Sequence, residues 1–569
     1  MVERFYADVD GRQMHYRRAG RGIPLILLHE SPRSSAAMEP WIRALAEHVT
    51  VLAPDTAGYG QSDPLPEDEP EIDAYARSVI AFADALGLER FIVAGTHTGS
   101  KIALSTAVQA PDRVAQLVMD GLGVYTETEA AEHLEHYTVP IVPVWHGGHL
   151  LEAWHRMRSM WTFWPWYRME ADRRLATSIP DLQTLHQMVY DQLRATPEWG
   201  LAYRAAFRYN AHAALEELRT PAVLLAKETD PLRPHLERLG TRNSSLRVAG
   251  VTDDDHVQEI VAAIDLSLDI ADPPPPPAVT HRGGTSRRYV PTSQGNVHVR
   301  MDGDPANPPV VVLHPSPGSG DTCQDLILDL ARDHFVIAPD MPGNGHSDPP
   351  GAQQPDIAFY AAPLAEALTA LGIERPVLYG SHTGACLAVE LAAARPDLPG
   401  GVVADGIPDL TEDERADILT NYMLPLTPER NGEHLIRAWH MLRDMQLYWP
   451  WYRDEAEHAR DTAPSAPERL HHLFLQMLKS GETYELAYRA AFRYDAAPRL
   501  GQTTAPTVIC ADPSDMLHRS SQGLAAAAGA NVAFTELRPE DGRDAAWAVR
   551  THAAHHAGPP DETRPKGEA

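Results

Sequence analysis

The strongest constraint on the fold is that the sequence repeats itself almost from end to end. The string LAYRAAFRY occurs unchanged at 201–209 and again at 486–494. Other landmarks keep the same spacing of 285 residues, which is the difference between His97 and His382. Because this period is far longer than that of solenoid repeats, each copy is expected to be a whole domain. The matching segments include 29–32 with 314–317, 53–63 with 338–348, and 164–168 with 449–453.

The boundary between the copies is marked by a change in composition. The consecutive prolines at 273–277 form a stiff, extended spacer, and the Gly, Ser and Thr residues that follow are flexible. We therefore place a linker at 272–286, between domain 1 at 1–271 and domain 2 at 287–557. The polar end of the sequence, 558–569, is expected to be a disordered tail.

Charge and cysteine content narrow the classes of function. A formal net charge of −29 is unfavourable for binding nucleic acid or an anionic membrane surface. Cys323, Cys386 and Cys510 show no paired spacing, which is typical of a reducing compartment without disulfides. The sequence starts without an apolar signal segment, and no apolar run reaches membrane-spanning length. We therefore expect a cytoplasmic protein that binds neither nucleic acid nor membranes.

Within each copy, short apolar runs alternate with helical patterns. In the first copy, the runs 22–28, 49–53, 91–94 and 116–119 are typical of buried strands, and 74–86 has helical periodicity. This alternation predicts an α/β fold with a mostly parallel, doubly wound sheet in each domain. Because ligands bind at the carboxyl ends of the strands in such sheets, residues just after these runs are candidates for function.

The strand pattern is interrupted in the second half of each copy. From about 125 to 215 the sequence is rich in Trp, His, Tyr and Met and has a helical pattern. Strand-like sequence resumes at 222–226. In the second copy the interruption spans about 411–500, before an apolar run at 507–510. We interpret each interruption as a helical cap inserted over the sheet.

The segment from Gly95 to Gly99 has the pattern of a nucleophile elbow. It follows an apolar run and precedes a helical one, and strand, Gly-x-X-x-Gly and helix are the usual context of this turn. The middle residue is normally serine, but here it is His97, and His382 has the same place in the second copy. Imidazole has a pKa near neutrality and can serve as a base or a nucleophile. Both histidines are therefore candidate catalytic residues, and a disabled elbow is the alternative.

Each copy resembles the α/β-hydrolase superfamily with a helical cap, over almost its full length. The resemblance is carried by the loop at His29, the segment DxxGxGxSD from Asp55, the elbow, and Asp230 after a late strand. Within this superfamily, the sequence is similar to the subgroup whose elbow reads Gly-x-His-Thr-Gly. The resemblance implies that Asp230 is the acid and His256 the base of a catalytic triad. His97 then takes the place of the nucleophile.

The resemblance also implies an oxyanion hole made by two backbone N–H groups. One belongs to the residue after the elbow histidine, and the other lies in the loop after the first parallel strand. The glycine that usually follows the loop histidine is replaced by Glu30 and Pro315, for which its backbone angles are costly. We therefore expect a reshaped loop. The donor residues are Ser31 and Thr98 in domain 1, and Ser316 and Thr383 in domain 2.

The caps and the loop supply candidate pocket residues. Aromatic, His and Arg side chains recur in both caps at the same spacing. They are consistent with a pocket roof in which arginine binds a substrate carboxylate, and an aromatic core with salt-bridged arginines is the alternative. The histidines lack a ligand set, so we predict no metal. The candidate pocket residues are His29, Glu30, Trp154, His155, Arg204, Trp439 and His440.

The two copies are unequal. Asp541 lies opposite His256 at the constant spacing, and its two successors are not histidines either. His552 lies several residues further along, in a helical segment. We therefore expect domain 1 to be active. Domain 2, which keeps His382 and Asp515, is expected to be degenerate and to serve as scaffold, pseudo-dimer partner or ligand site.

The combined pattern predicts a hydrolase that cleaves an ester, a lactone or a related bond in a small molecule. Neutral imidazole is a very weak N–H acid, so acid–base roles for His97 and His256 are physically easier than a copied serine mechanism. A cofactor-free lyase or isomerase and a non-catalytic binding protein are the alternatives. We predict a small-molecule substrate, no cofactor, and intramolecular packing of the two domains.

Overall fold

The computed structural model describes residues 1–195, 199–239, 245–279, 281 and 284–556. It divides into two compact units: domain 1 is Met1–Val279 with Pro428–Ile436, and domain 2 is Thr280–Thr427 with Arg437–Ala569. The predicted tail at 558–569 lies outside the described residues, as do positions 280, 282 and 283 of the predicted linker.

Domain 1 is built on an eight-stranded, mostly parallel sheet, as the sequence predicts. Its order is β1-β2-β4-β3-β5-β6-β7-β8, and the pairs from β4 to β8 are parallel. The strands are β1 (Glu3–Val9), β2 (Arg12–Ala19), β3 (Pro24–Leu28), β4 (Thr50–Pro54), β5 (Phe91–Thr96), β6 (Val114–Asp120), β7 (Ala222–Lys227) and β8 (Leu246–Val251).

Helices cover both faces of this sheet, so its central strands are buried along their whole length. Phe82 and Ile102 belong to the core on one face, and Ile42 and Ile260 belong to the core on the other. Burial on both faces explains why these strands read as continuous apolar runs. The helices that flank the sheet are α1 (Glu39–Leu45), α2 (Ile72–Ala85), α3 (Thr98–Gln109) and, at the end of the domain, α9 (His256–Ala263).

The insert between β6 and β7 is helical and lies where the parallel strands end. Its position in the chain corresponds to the cap expected from the sequence at about 125–215. The helices of the insert are α4 (Glu127–His136), α5 (Gly148–Met160), α6 (Leu182–Arg194), α7 (Leu201–Arg208) and α8 (Ala211–Glu217).

Domain 2 repeats this architecture strand for strand. Its sheet order is β9-β10-β12-β11-β13-β14-β15-β16. The strands are β9 (Ser286–Thr292), β10 (Gly295–Asp302), β11 (Pro309–Leu313), β12 (Phe335–Pro339), β13 (Val377–Ser381), β14 (Gly401–Asp405), β15 (Thr507–Ala511) and β16 (Val532–Glu536).

The helices of the second repeat follow the same order, and a further α-helix lies between the last two strands. Those flanking the sheet are α10 (Gln324–Leu330), α11 (Ile357–Ala370), α12 (Thr383–Ala394), α18 (His518–Ala527) and α19 (Ala545–His556). Those of the insert are α13 (Glu412–Asn421), α14 (Glu433–Asp444), α15 (Pro467–Ser480), α16 (Tyr484–Arg493) and α17 (Ala496–Leu500).

None of the helices in the described part of the chain has the length and hydropathy needed to span a bilayer.

Candidate active site

His97 occupies a strained turn between β5 and α3. Its backbone angles are φ 48° and ψ −107°, a left-handed conformation that is costly for a residue other than glycine. The glycines on either side make the turn possible. A Cβ on Gly95 would lie 2.3 Å from the carbonyl oxygen of Gly99, and one on Gly99 would lie 2.4 Å from that of Leu28. The turn therefore brings the imidazole out at the carboxyl end of the sheet.

Asp230 pairs directly with His97. Nε2 of His97 donates to Oδ2 of Asp230 at 2.8 Å, and the backbone N–H of Leu232 donates to Oδ1 at 2.7 Å. The Asp230 side chain is 1% exposed, whereas the His97 side chain is 37% exposed. The carboxylate is thus fixed from behind, and the imidazole remains open to a ligand.

His256 pairs with a different carboxylate, at the end of β6. Nε2 of His256 donates to Oδ1 of Asp120 at 2.8 Å, and the Thr96 hydroxyl donates to Oδ2 of Asp120 at 3.2 Å. The two side chains are 12% and 5% exposed, and the rings of His256 and Trp41 pack edge to face. The predicted pairing of Asp230 with His256 is therefore wrong. Asp230 is already engaged by His97, and Asp120, which the sequence analysis passed over, holds His256.

The carboxylate of Asp230 changes the protonation of His97. Burial alone lowers the pKa of the imidazole, but the charge and the hydrogen bond of Asp230 outweigh this effect. Asp120 and Glu30 add smaller contributions, and the pKa rises to about 9. The pKa of Asp230 is lowered in turn, because the His97 charge and hydrogen bond exceed the cost of its burial. At neutral pH the pair is an imidazolium and a carboxylate.

Both His–Asp pairs open onto one cavity of about 280 Å³. Its roof is supplied by the cap and is largely aromatic and thioether in character, and its floor is polar. Glu30, Arg33, Lys227 and Thr229 add polar groups at the floor and rim. The roof residues are Tyr137, Met157, Met160, Trp161, Trp164, Leu175, Met188 and Tyr203.

Domain 2 retains one of the two pairs. His382 has nearly the same backbone angles as His97, φ 53° and ψ −108°, and donates from Nε2 to Oδ2 of Asp515 at 2.9 Å. Asp515 raises the pKa of His382 against the opposing effect of burial. The counterpart of Asp120 is Asp405, which accepts a hydrogen bond from the Tyr379 hydroxyl at 2.7 Å. Burial raises the pKa of Asp405 to about 6. A tyrosine hydroxyl thus contacts the carboxylate that a histidine contacts in domain 1.

Two segments of the chain, 23–237 and 308–528, match the model of the alpha/beta hydrolase fold family. The chain belongs to the α/β-hydrolase family. Each segment corresponds to one of the two repeats, so the tandem duplication of an α/β-hydrolase domain expected from the sequence is confirmed.

Relatives with named activities match shorter stretches of the chain. Haloalkane dehalogenase 2 of Mycobacterium tuberculosis is 34% identical over 116 residues, which are 20% of this chain and 40% of the relative. The 2-hydroxy-6-oxo-6-phenylhexa-2,4-dienoate hydrolase of Comamonas testosteroni is 30% identical over 120 residues, 20% of this chain and 42% of the relative. The chain therefore spans about two fifths of the length of these relatives.

A solved structure covers more of the chain. The enol-lactonase from Burkholderia xenovorans matches with a TM-score of 0.35 and 18% identity, over 45% of this chain and 98% of that chain.

Most of the predicted pocket residues of this α/β-hydrolase do not line the cavity of their domain. Glu30 lines the domain 1 cavity, but His29 is buried beneath it, with Nε2 accepting from the Thr56 backbone at 2.9 Å. Trp154 is completely buried, and His155 is on the exposed face of α5. Neither lines the cavity, because the face of α5 toward it carries Met157 and Met160 instead.

The other three candidate pocket residues do not line the cavity of their domain either. Arg204 points away from the cavity and pairs with Glu69 at 2.9 Å, so the salt-bridge alternative holds for this arginine. In domain 2, Trp439 is buried against Phe474, and neither it nor His440 lines the cavity of that domain.

The residues expected at the oxyanion hole lie close to the cavities. Ser31 lines the domain 1 cavity, and Thr98 is the first residue of α3. Ser316 and Thr383 both line the domain 2 cavity. The first N–H groups of a helix have no intrahelical partner and favour negative charge, so the start of α3 is a suitable place for an oxyanion.

Glu30 is held at the rim of the domain 1 cavity by an arginine. Arg33 lies 3.6 Å from the Glu30 carboxylate, and its Nε is 3.3 Å from Asp191. Among the described residues, no three or more His, Cys, Asp and Glu side chains gather into a group that could hold a metal ion.

Proposed function

We propose that domain 1 hydrolyses an ester, a lactone or a related bond of a small molecule, with His256 as base and His97 as acid. The observation that carries this proposal is that two separate His–Asp pairs open onto one cavity. General acid–base catalysis needs one group to take a proton and another to donate one within reach of the same substrate. The hydrolase names of several relatives support a hydrolytic reaction.

The hydrogen bonds assign a role to each ring nitrogen. Among the described residues, the side chains of His97 and His256 form hydrogen bonds only through Nε2. Each carboxylate therefore holds an Nε2–H, which leaves Nδ1 for chemistry. With a pKa of about 9, His97 carries a proton on Nδ1 as well and has no lone pair to attack with. This argues for an acid and against a nucleophile at position 97.

The reaction then runs without a covalent intermediate. Nδ1 of His256 takes a proton from water, and the resulting hydroxide attacks the substrate carbonyl carbon. The oxyanion is stabilised by backbone N–H groups of Thr98 and Ser31. As the carbonyl re-forms, the bond to the leaving oxygen breaks, and Nδ1–H of His97 donates its proton to that oxygen. The proton held by His256 then returns to His97 through solvent, which restores both groups. Asp120 stabilises the transient imidazolium of His256.

The test is turnover of a panel of aryl esters and lactones by the full chain and by its variants His97→Gln and His256→Gln. His155→Gln, at an exposed histidine, is the matched control. Removing an acid or a base is expected to lower kcat/KM by about 100-fold or more, and the control should keep wild-type rates. One oxygen from ¹⁸O-labelled water should appear in the product. The proposal would be contradicted if His97→Gln kept wild-type turnover, or if only His382→Gln lost turnover. Cleavage without ¹⁸O incorporation would contradict it as well.

A further inference from the structure

The cavity of domain 2 differs from that of domain 1 chiefly in charge. The walls of the domain 1 cavity include the carboxylates of Glu30, Asp120 and Asp230 beside two cationic side chains. The domain 2 cavity, of about 350 Å³, is lined by Arg460 and Arg469, and none of its described lining residues is an aspartate or a glutamate. Carboxylates thus line one of the two homologous pockets and not the other.

The change comes from substitutions at equivalent positions. At the constant spacing of the repeat, Glu30 is replaced by Pro315, which removes a carboxylate from the rim. Leu175 is replaced by Arg460, which introduces a guanidinium. In the same wall Gln446 stands where domain 1 has a tryptophan. Each substitution makes the domain 2 cavity a better environment for an anion.

Four buried polar atoms of residues that line this cavity have no hydrogen-bond partner among the described residues. They are Nε of Arg460, Nε2 of Gln446, Oγ of Ser316 and the hydroxyl oxygen of Tyr488. Buried polar groups are normally paired, so four unpaired ones around a single cavity point to an acceptor that the protein does not supply. No residue that lines the domain 1 cavity has such an atom among the described residues.

The other atoms of these side chains are held in place. Nη1 of Arg460 donates to the backbone oxygen of Met445 at 2.7 Å, which fixes the guanidinium plane. Oε1 of Gln446 accepts from the backbone N–H of Ser465 at 2.7 Å, which turns its amide nitrogen the other way. These two donors are therefore positioned in advance, which lowers the cost of ordering them when an anion binds.

The rest of the cavity is apolar. Tyr422, Trp449, Tyr488 and Phe492 present aromatic surface, with Leu442 and Leu473 beside them. An apolar lining with a few convergent polar groups is typical of small-molecule sites. Because Asp405 contacts a tyrosine hydroxyl instead of a histidine, no second imidazole completes an acid–base pair among the described lining residues.

We propose that the domain 2 cavity binds a small organic carboxylate with an aromatic or aliphatic body, and binds it without turnover. The carboxylate is held by Arg460 and Gln446 with Ser316, and the body lies against the aromatic wall. This inference concerns a separate cavity and does not depend on the reaction proposed for domain 1.

The test is calorimetric titration of the full chain with benzoate, phenylacetate and hexanoate, and with benzamide as the neutral analogue of benzoate. At least one acid should bind with one site per chain, and benzoate should bind at least tenfold more tightly than benzamide. Arg460→Leu, which installs the residue of domain 1, should weaken acid binding at least tenfold. Arg453→Leu, at an exposed arginine paired with Asp417 outside the cavity, is the matched control and should leave binding unchanged.

Arg460→Leu also removes the hydrogen bond to Met445 and could therefore disturb the fold. Gln446→Leu and Ser316→Ala are independent variants that keep this bond. Circular dichroism checks that every variant is folded. Each should weaken acid binding and leave the weak affinity for benzamide unchanged. Equal affinity for benzoate and benzamide, or unchanged acid binding in folded Arg460→Leu and Gln446→Leu, would overturn the proposal. Failure of every acid to bind would overturn it as well. Consumption of a bound acid would overturn binding without turnover.

Discussion

Replacing Asp230 by asparagine should convert His97 from a cation to a neutral imidazole at neutral pH. The carboxylate is the main reason why the His97 pKa is about 9, and burial acts in the opposite direction. Without the carboxylate, we expect the pKa to fall to the ordinary value of 6.5 or below. At pH 7.5 the protonated fraction of His97 would then drop from about 97% to about 9% or less, by the ordinary titration equation. The amide keeps the shape of the side chain, so the change is one of charge.

The assay is a ¹³C–¹H titration of the histidine Cε1–H signals of the full chain from pH 5 to 10.5. Because the chain has 28 histidines, the His97 signal is identified by its loss in His97→Gln. Asp515→Asn is the matched control, since it should shift His382 and leave His97 unchanged. A wild-type His97 that titrates near pH 6.5, or an Asp230→Asn variant that still titrates near pH 9, would refute the reasoning.

Two further results follow from the same geometry. A Cβ at Gly121 would lie 2.4 Å from Cδ2 of His97, so Gly121→Ala should lower the measured kcat/KM at least tenfold. Gly11 has a similar positive φ but open space around it, so Gly11→Ala is the control and should keep the wild-type kcat/KM. Equal losses in the two variants would contradict the clash. The His97–Asp230 pair should stabilise the fold fully between about pH 3.8 and 6.5. The stabilisation should decline as the pH rises to about 9, because the imidazole loses its proton. It should also decline as the pH falls below 3.8, because the carboxylate gains a proton. The difference in Tm between wild type and His97→Gln across this range measures the effect, and a difference independent of pH would exclude it.

The sheet was predictable from the sequence because its central strands are buried on both faces. Such strands appear as unbroken apolar runs, as at 24–28 and 91–94, and the repeat supplied a second copy of the pattern. The antiparallel hairpin of β1 and β2 was missed, since its strands mix polar and apolar residues. Its Asp10-Gly11 turn, with positive φ at both positions, is a recognisable hairpin signal.

The partners of the two histidines could not be read from the order of residues along the chain. Asp120 ends one parallel strand and Asp230 follows another, so both reach the same edge of the sheet. Only the tertiary arrangement decides which carboxylate meets which ring. A signal for Asp120 was nevertheless present. The acid follows a buried apolar run, precedes a glycine, and recurs as Asp405 in the second copy.

Most of the predicted pocket residues do not line the cavity, because the face that a cap helix turns toward the sheet depends on packing. In α5, Trp154 and Met157 are both buried, yet only Met157 reaches the cavity. Arg204 was expected to bind substrate, but the acidic loop at Glu69 supplies its partner. Helical periodicity shows which residues share a face, and it does not show which neighbour that face meets.

The dependence of kcat/KM on pH tests the central claim most directly, with one ester or lactone turned over by the wild-type chain and by Asp230→Asn. If protonated His97 is the acid, the wild-type rate falls as the pH rises through about 9, and in Asp230→Asn that fall moves to pH 6.5 or below. Two profiles with the same upper limb would contradict the assignment of His97 as the acid held by Asp230.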